Sequence, residues 1–341
     1  MPTQIQLRRD TAANWTTANP ILAVGELGLE TDTTAYKIGD GVLAWTALPY
    51  RNLSPALSTA LFTAIADPSP PAAGLMNLYA RNVSGRILPK IIGPAGLDTI
   101  LQPFMGTNKI GMFCPPGNAT TLSTLGAYTA PTTTGTVAIR NVATANLFQR
   151  MRRVGFNTTA VAGTLAGARV QFLQVTVGGT VASGFFKVIR FGIADPVLVV
   201  TARMFVGVSN NAAAPLNVNP AKLINSIGVG HDSGATNLFL YYGGSSAQTP
   251  INLGVNFPVN TINTDVYELI LFTHPGSADV TYRVARINTT DMVEGTLPNG
   301  GGVSLPATTT LLTYLQAWRT NNATAAIAGL DIMSDYIETD Y

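Results

Sequence analysis

An all-β fold is predicted, and three observations carry that prediction. Charge is scarce, at 11% of 341 residues, and its place is taken by 43 Thr and 24 Asn beside 33 Gly and 21 Pro. Thr favours strands, whereas Asn, Gly and Pro favour turns. Apolar segments of strand length recur about every ten to fifteen residues in the later part of the chain, the spacing of a sandwich or jelly roll. No fixed-period repeat accompanies them, which argues against a β-helix or propeller.

The elements follow in order. Within residues 1–51, Ile5 and Leu7 alternate with Gln4, Gln6 and Arg8 as a first strand. Asp10 to Trp15 has the pattern of a short N-capped helix, closed by Asn19-Pro20. Gly25–Asp32 and Ala35–Gly39 read as strands, and Asp40-Gly41 as a hairpin turn. Trp15, Trp45, Leu48 and Tyr50 supply a small core. So short a module buries little surface by itself, and a symmetric oligomer sharing this core is the simplest remedy.

The run Ile5-Gln6-Leu7-Arg8-Arg9-Asp10-Thr11-Ala12-Ala13-Asn14-Trp15 is followed by Gly25-Glu26-Leu27-Gly28-Leu29-Glu30-Thr31-Asp32 and Lys37-Ile38-Gly39-Asp40-Gly41. In order and spacing it resembles the N-terminal domain of the phage major tropism determinant and of many phage fibre and spike proteins. That resemblance implies a threefold β-prism that docks a fibre onto a virion. It places Ile5, Leu7, Arg8, Trp15, Leu27, Ile38 and Trp45 in the attachment module and its trimer core. Val42-Leu43-Ala44 departs from the pattern, since many relatives carry polar Ser or Thr before the Trp.

Residues 52–72 read as a linker. Leu57, Leu61 and Ile65 have the spacing of a short amphipathic helix, and Asp67-Pro68-Ser69-Pro70-Pro71 is stiff. Three such helices on a threefold axis, or one helix lying on a neighbouring domain, both remain open. Residues 73–106 read as a small β connector with strands at Leu75–Ala80 and Arg86–Ile92. The run from Leu78 through Gly93-Pro94-Ala95-Gly96 to Gln102-Pro103 resembles a connector of phage fibre proteins. Residues 107–341 form one large jelly-roll-like β-sandwich. Its strands are expected at Val170–Val177, Gly184–Phe191, Val197–Val208, Leu238–Tyr242, Val266–Thr273 and Val280–Ile287. A last strand follows the Ala328-Gly329 turn, and the whole resembles C-terminal domains of phage tail fibres.

A net charge of +2 provides no basic field for nucleic acid. Arg150-Met151-Arg152-Arg153 reads as a solvated or interface edge. The basic residues are 15 Arg and 5 Lys, a skew typical of subunit contacts. Cys114 is the sole cysteine, so no intrachain disulfide is possible, and its default place is a buried one. No secretory leader precedes Leu7-Arg8-Arg9. The best apolar run, Pro196–Val208, is interrupted by Thr201 and Arg203 and falls short of the ~20 residues of a membrane span. Assembly in a host cytoplasm without membrane insertion is expected.

Catalytic patterns are absent. His231, His274 and Cys114 are remote from one another, so neither a metal nor another cofactor is expected. Gly228-Val229-Gly230-His231-Asp232-Ser233-Gly234 misses the dinucleotide fingerprint by one residue and reads as a loop. Glycan cleavage needs two carboxylates facing one bond. Asp331 and Asp335 on one strand face would lie ~13 Å apart, which suits neither mechanism. With Glu338 and Asp340 they read as a solvated or interfacial edge.

Binding is better supported. Loops at a sandwich end commonly carry recognition. His231, Asp232, Tyr241, Tyr242 and Trp318 combine aromatic faces with polar groups suited to a sugar. The expected protein is a non-enzymatic homotrimeric tail fibre or spike subunit. It would join other tail or baseplate proteins of a virion and contact a bacterial surface glycan or protein receptor. The alternatives are a head fibre or decoration protein without receptor binding, and a polysaccharide depolymerase.

Overall fold

The computed structural model describes residues 7–51, 60–93, 98–100, 109–115, 118, 120–172, 174–179, 184–274 and 276–339. Two units result, Met1–Phe62 and Thr63–Tyr341. The first contains β1 (Arg8–Asp10), α1 (Ala12–Ala18), β2 (Leu27–Glu30) and β3 (Tyr36–Ile38). Strand β1 pairs parallel with β2, and β2 antiparallel with β3. The Thr11 hydroxyl caps α1 by accepting the Asn14 N–H at 3.3 Å, and Asn19 ends it at φ 40°. The helix aims Trp15 at Trp45, whose rings stack at 4.1 Å, and Leu22 and Leu48 complete the core. A Cβ at Gly28 would lie 2.5 Å from the Trp45 ring, so the sheet can approach the indoles only with glycine there.

Two expectations for this unit change. Asp40-Gly41 turns no hairpin. The Asp40 carboxylate instead accepts the Val42 and Leu43 N–H groups and leads the chain to an Ala44–Ile21 bridge. Tyr50 is half exposed, with its hydroxyl donating to Glu30 at 2.6 Å and Lys37 Nζ 4.0 Å from its ring. Of the attachment residues, Trp15 and Trp45 are core, Leu27 is half-buried, and Leu7, Arg8 and Ile38 are exposed. Ile5 lies outside the described residues.

The second unit begins with an extended segment rather than a helix. Residues 52–59 lie outside the described residues, and Ala64 bridges Ala80 of β4 (Asn77–Val83) in parallel. Ile65 donates its N–H to Ala80, and the Asp67 carboxylate accepts Tyr79 at 3.0 Å and Lys90 at 3.2 Å. Leu61 is fully exposed, so the four-residue spacing there marks no buried face. Strand β5 (Arg86–Ile92) pairs with β4 and with β6 (Asp98–Ile100).

The next strands are β7 (Lys109–Phe113), β8 (Thr124–Gly126), β9 (Thr132–Thr134), β10 (Thr136–Ala138), β11 (Val154–Asn157), β12 (Leu165–Arg169), β13 (Phe185–Ile193) and β14 (Arg203–Ser209). Then come β15 (Ser226–His231), β16 (Phe239–Gly243), β17 (Ile251–Asn252), β18 (Tyr267–Thr273), β19 (Val280–Arg286), β20 (Met292–Leu297), β21 (Thr313–Thr320) and β22 (Gly329–Thr339). They build a sandwich of two sheets. The first runs β10-β11-β22-β13-β18-β19-β20, with β7 on β22 and β8 on β7. The second runs β17-β16-β15-β14-β21-β12-β9. Phe156, Ile189, Phe191 and Leu269 of the first meet Val206, Val229, Leu240 and Leu315 of the second in one core. Such dry packing is the main source of stability.

Two expected strands shift. The stretch after Arg169 is irregular, and Val197, Leu198 and Val200 form an exposed loop before β14. Segment 210–225 covers the outer side of the second sheet. There Ala221 and Leu223 pack on Phe205, Tyr241 and Trp318. With both faces covered, β15 and β21 are buried throughout. Gly228–His231, expected as a loop, is therefore inner strand, where a Cβ on Gly228 would meet the Phe205 ring at 2.7 Å. Cys114 is exposed rather than buried.

Strand β22 carries a bulge. Arg190 faces Ser334 and the next residue, Phe191, faces Ile332, leaving Met333 unpaired. One extra residue reverses which face each later side chain occupies. Asp331 and Asp335, expected on one face, consequently occupy opposite faces of the sheet.

Candidate binding site

The five residues expected to touch a ligand do not form a surface. His231, Tyr241 and Trp318 are buried, and Asp232 and Tyr242 are half-buried. His231 lies against Arg319, whose Nη1 donates to its Nε2 at 2.7 Å. The imidazole must then carry its proton on Nδ1, which donates to the Asp232 carbonyl at 3.1 Å. Arg319 also grips Asp195 through Nε at 2.7 Å and through Nη2. Burial, with the Arg319 charge beside it, pushes the His231 pKa down to about 3. The Asp232 carboxylate accepts the Ala221 N–H, and Tyr242 packs against the sandwich core. Asp232, Tyr241 and Trp318 hold the covering segment to the sheet.

The acidic cluster is likewise internal. Asp331 is fully buried and accepts Arg140 at 2.9 Å and Arg153 at 2.9 Å. Burial raises its carboxyl pKa despite both guanidinium groups. Arg153, expected in a solvated basic edge, is thus committed to the interior. Asp335 pairs with Lys187 inside the sandwich, and Glu338 takes a bidentate Arg86 at 2.6 and 2.7 Å. The solvated-edge reading fails for all three, because each carboxylate has a cation beside it. Asp340 lies outside the described residues.

A different arrangement lies on the outer face of the first sheet. Cross-strand pairing sets the side chains in rows. One row is Val188, Ile270, Arg283 and Glu294, and the next is Arg190, Glu268, Ala285 and Met292. The β4–β5 hairpin docks over the neighbouring row. Its Ser84 carbonyl accepts the Thr281 hydroxyl at 2.5 Å, and Arg86 lies 4.7 Å from the Phe186 ring. Ser84 and Gly85 take φ of 51° and 82°, the left-handed geometry of a two-residue hairpin turn.

Three cavities of about 410, 370 and 350 Å³ open along this face, and Arg283 lines all of them. Its Nε is buried without a hydrogen-bond partner, and no ion pair reaches its guanidinium among the described residues. Neighbouring Arg190 is occupied by Glu268 at 2.7 Å. The groove therefore offers one uncommitted planar fork, carboxylate acceptors at Glu268 and Glu294, and an apolar floor of Val188 and Ile270. Such a fork suits a carboxylate or phosphate, and the acceptors suit hydroxyls. Among the described residues no helix is long and apolar enough to cross a membrane, and no cluster of His, Cys, Asp or Glu is placed to hold a metal.

The sequence did not reveal this groove. Arg283 alternates with inward Tyr282 and Val284 as any outward strand residue does. Its neighbours come from β13, β18 and β20, and only the strand register joins them.

No curated protein matches the chain. Several solved structures are similar over much of the chain. A protein of unknown function from Shewanella oneidensis MR-1 has 11% identity and a TM-score of 0.44, over 70% of this chain and 90% of that one. Peanut lectin has 10% identity and a TM-score of 0.43, over 68% and 97%. The CBM2 module of the evolved Dit of Lactobacillus casei BL23 phage J-1 has 14% identity and a TM-score of 0.37, over 63% and 92%. The family model described as the major tropism determinant N-terminal domain matches residues 5–43. Residues 5–43 of this chain thus resemble the N-terminal domain of the major tropism determinant.

Proposed function

We propose that the chain is a phage tail fibre or spike subunit that docks on the virion through its N-terminal unit and binds a bacterial surface receptor through its sandwich. The match of residues 5–43 carries this reading. The same unit exposes Ile21, Val24, Val42 and Leu43, at 59%, 81%, 75% and 41%. So much apolar surface on so small a unit supports burial against further copies, in a homotrimer, and against tail or baseplate proteins. The receptor is a glycan whose anionic substituent pairs with Arg283 while Glu268 and Glu294 accept its hydroxyls. No bond is made or broken, and strength comes from multiplicity: joined sites gain about 10²–10⁴ in avidity.

The test uses the labelled full chain on a panel of bacterial strains, with purified surface polysaccharide as competitor. Saturable, competed binding is expected, with polysaccharide chain length unchanged after incubation. Arg283→Ala removes charge-assisted hydrogen bonds worth ~1.5–3 kcal/mol and should weaken binding about 10- to 100-fold. Absence of binding to every strain would favour a decoration role, and shortened polysaccharide would favour a depolymerase.

A further inference from the structure

Lys187 and Asp335 form the one ion pair among the described residues in which an amine meets a carboxyl with both side chains wholly buried. They stand on adjacent antiparallel strands, where Lys187 faces Ile337 and Ile189 faces Asp335. A long side chain reaches diagonally across such a pair, and Lys187 Nζ lies 2.5 Å from Asp335 Oδ1. Two tyrosines enclose the contact. Tyr128 donates its hydroxyl to Asp335 Oδ2 at 2.8 Å, and the Tyr314 carbonyl accepts from Lys187 Nζ. The tyrosine rings meet edge to face at 4.9 Å, with Phe113 beyond Tyr128. Lys187, Asp335, Tyr128, Tyr314 and Phe113 are all buried.

From this geometry we propose that Lys187 and Asp335 join as an intramolecular isopeptide bond between strands β13 and β22. The ammonium–carboxylate pair and the amine–carboxylic acid pair hold the same protons, so one proton moving across the contact gives the reactive form. Burial favours that move, since it lowers the Lys187 pKa and raises that of Asp335. The Nζ lone pair then attacks Cγ of the neutral carboxyl. Tyr128, hydrogen-bonded to Oδ2, polarises the carboxyl. One carboxyl oxygen leaves with two protons as water, and the amide nitrogen keeps one hydrogen. No oxidant or co-reactant is required.

Held groups of this kind react with effective molarities of about 10⁵–10⁸ M, which offsets the reluctance of acids and amines to condense in water. The product also removes two charges from the core, where an ion pair is costly. Among the described residues Arg319 is buried to a similar degree, but it holds its carboxylate with a guanidinium, which has no comparable nucleophilic lone pair.

The test is peptide mapping of the soluble full chain. Trypsin cuts after Arg169, Lys187, Arg190 and Arg319 in an unlinked chain. A linked chain should be uncut after Lys187, with residues 170–190 joined to the peptide starting at Thr320, at about 18 Da below the summed masses. Lys187→Arg should abolish the linked species. Recovery of separate peptides ending at Lys187 and starting at Thr320 from folded wild-type protein would overturn the proposal. Loss of water elsewhere in the chain, for instance at Asp40-Gly41, would leave those two peptides separate and count against it equally.

Discussion

His231 shows how completely a residue's role depends on what covers it. Its pKa of about 3, against an ordinary 6.5, means the unfolded chain binds a proton that the folded chain refuses. Stability from this site is therefore fully present above about pH 6.5 and is lost as pH falls toward 3, with a slope approaching ~1.4 kcal/mol per pH unit. Urea titrations between pH 7 and pH 4 should show this decline. His231→Gln should flatten it, because an amide has no proton to gain. Histidine beside aspartate in a glycine-rich run reads as a loop with a polar tip. The distinction from an inner strand lay in Arg319, 88 residues away, whose approach to the ring no local pattern records.

At the scale of elements, the hairpin β4–β5 is the piece that shapes the groove. Its Arg86 clamps Glu338 of β22, while Leu88 packs with Phe186 and Ile270. Replacing Arg86 by alanine removes both guanidinium hydrogen bonds to Glu338 that tie the hairpin to β22. Arg86→Ala should accordingly speed amide hydrogen exchange in residues 77–92, with the second sheet unchanged. The elements most legible in the sequence were those with local signals. The helix around Trp15, its Asn19 stop and the strands flanking the Thr-rich turn all follow from capping and alternation. Less legible was anything set by a distant partner. The bulge at Met333 moved Asp335 to the opposite face from Asp331, and segment 210–225 buried the aromatics proposed as contacts.

For the whole molecule, scarce charge has two structural origins. Many ionic groups pair in the interior, as at Asp331, Asp195 and Asp335, leaving fewer at the surface. The N-terminal unit meanwhile exposes apolar side chains in place of charge. Light scattering of the full chain should give three times 35.8 kDa, and Val24→Asp with Val42→Asp should shift it toward one copy. A wild-type monomer would remove the trimer from the proposed function. The class of the fold was readable from composition and strand spacing. The groove around Arg283 was not, because it is assembled from strands distant in sequence.

Strand β22 lies between β13 on one side and β11 and β7 on the other, yet it follows every other described strand along the chain. During synthesis the first sheet therefore waits with a slot one strand wide. Its neighbours expose unpaired backbone until residues 329–339 leave the ribosome. That wait carries a hazard, since an open edge captures foreign strands. It also imposes a timetable: the N-terminal unit is made before the sandwich closes. Closure of the sandwich by β22 is thus the last step the described chain can take.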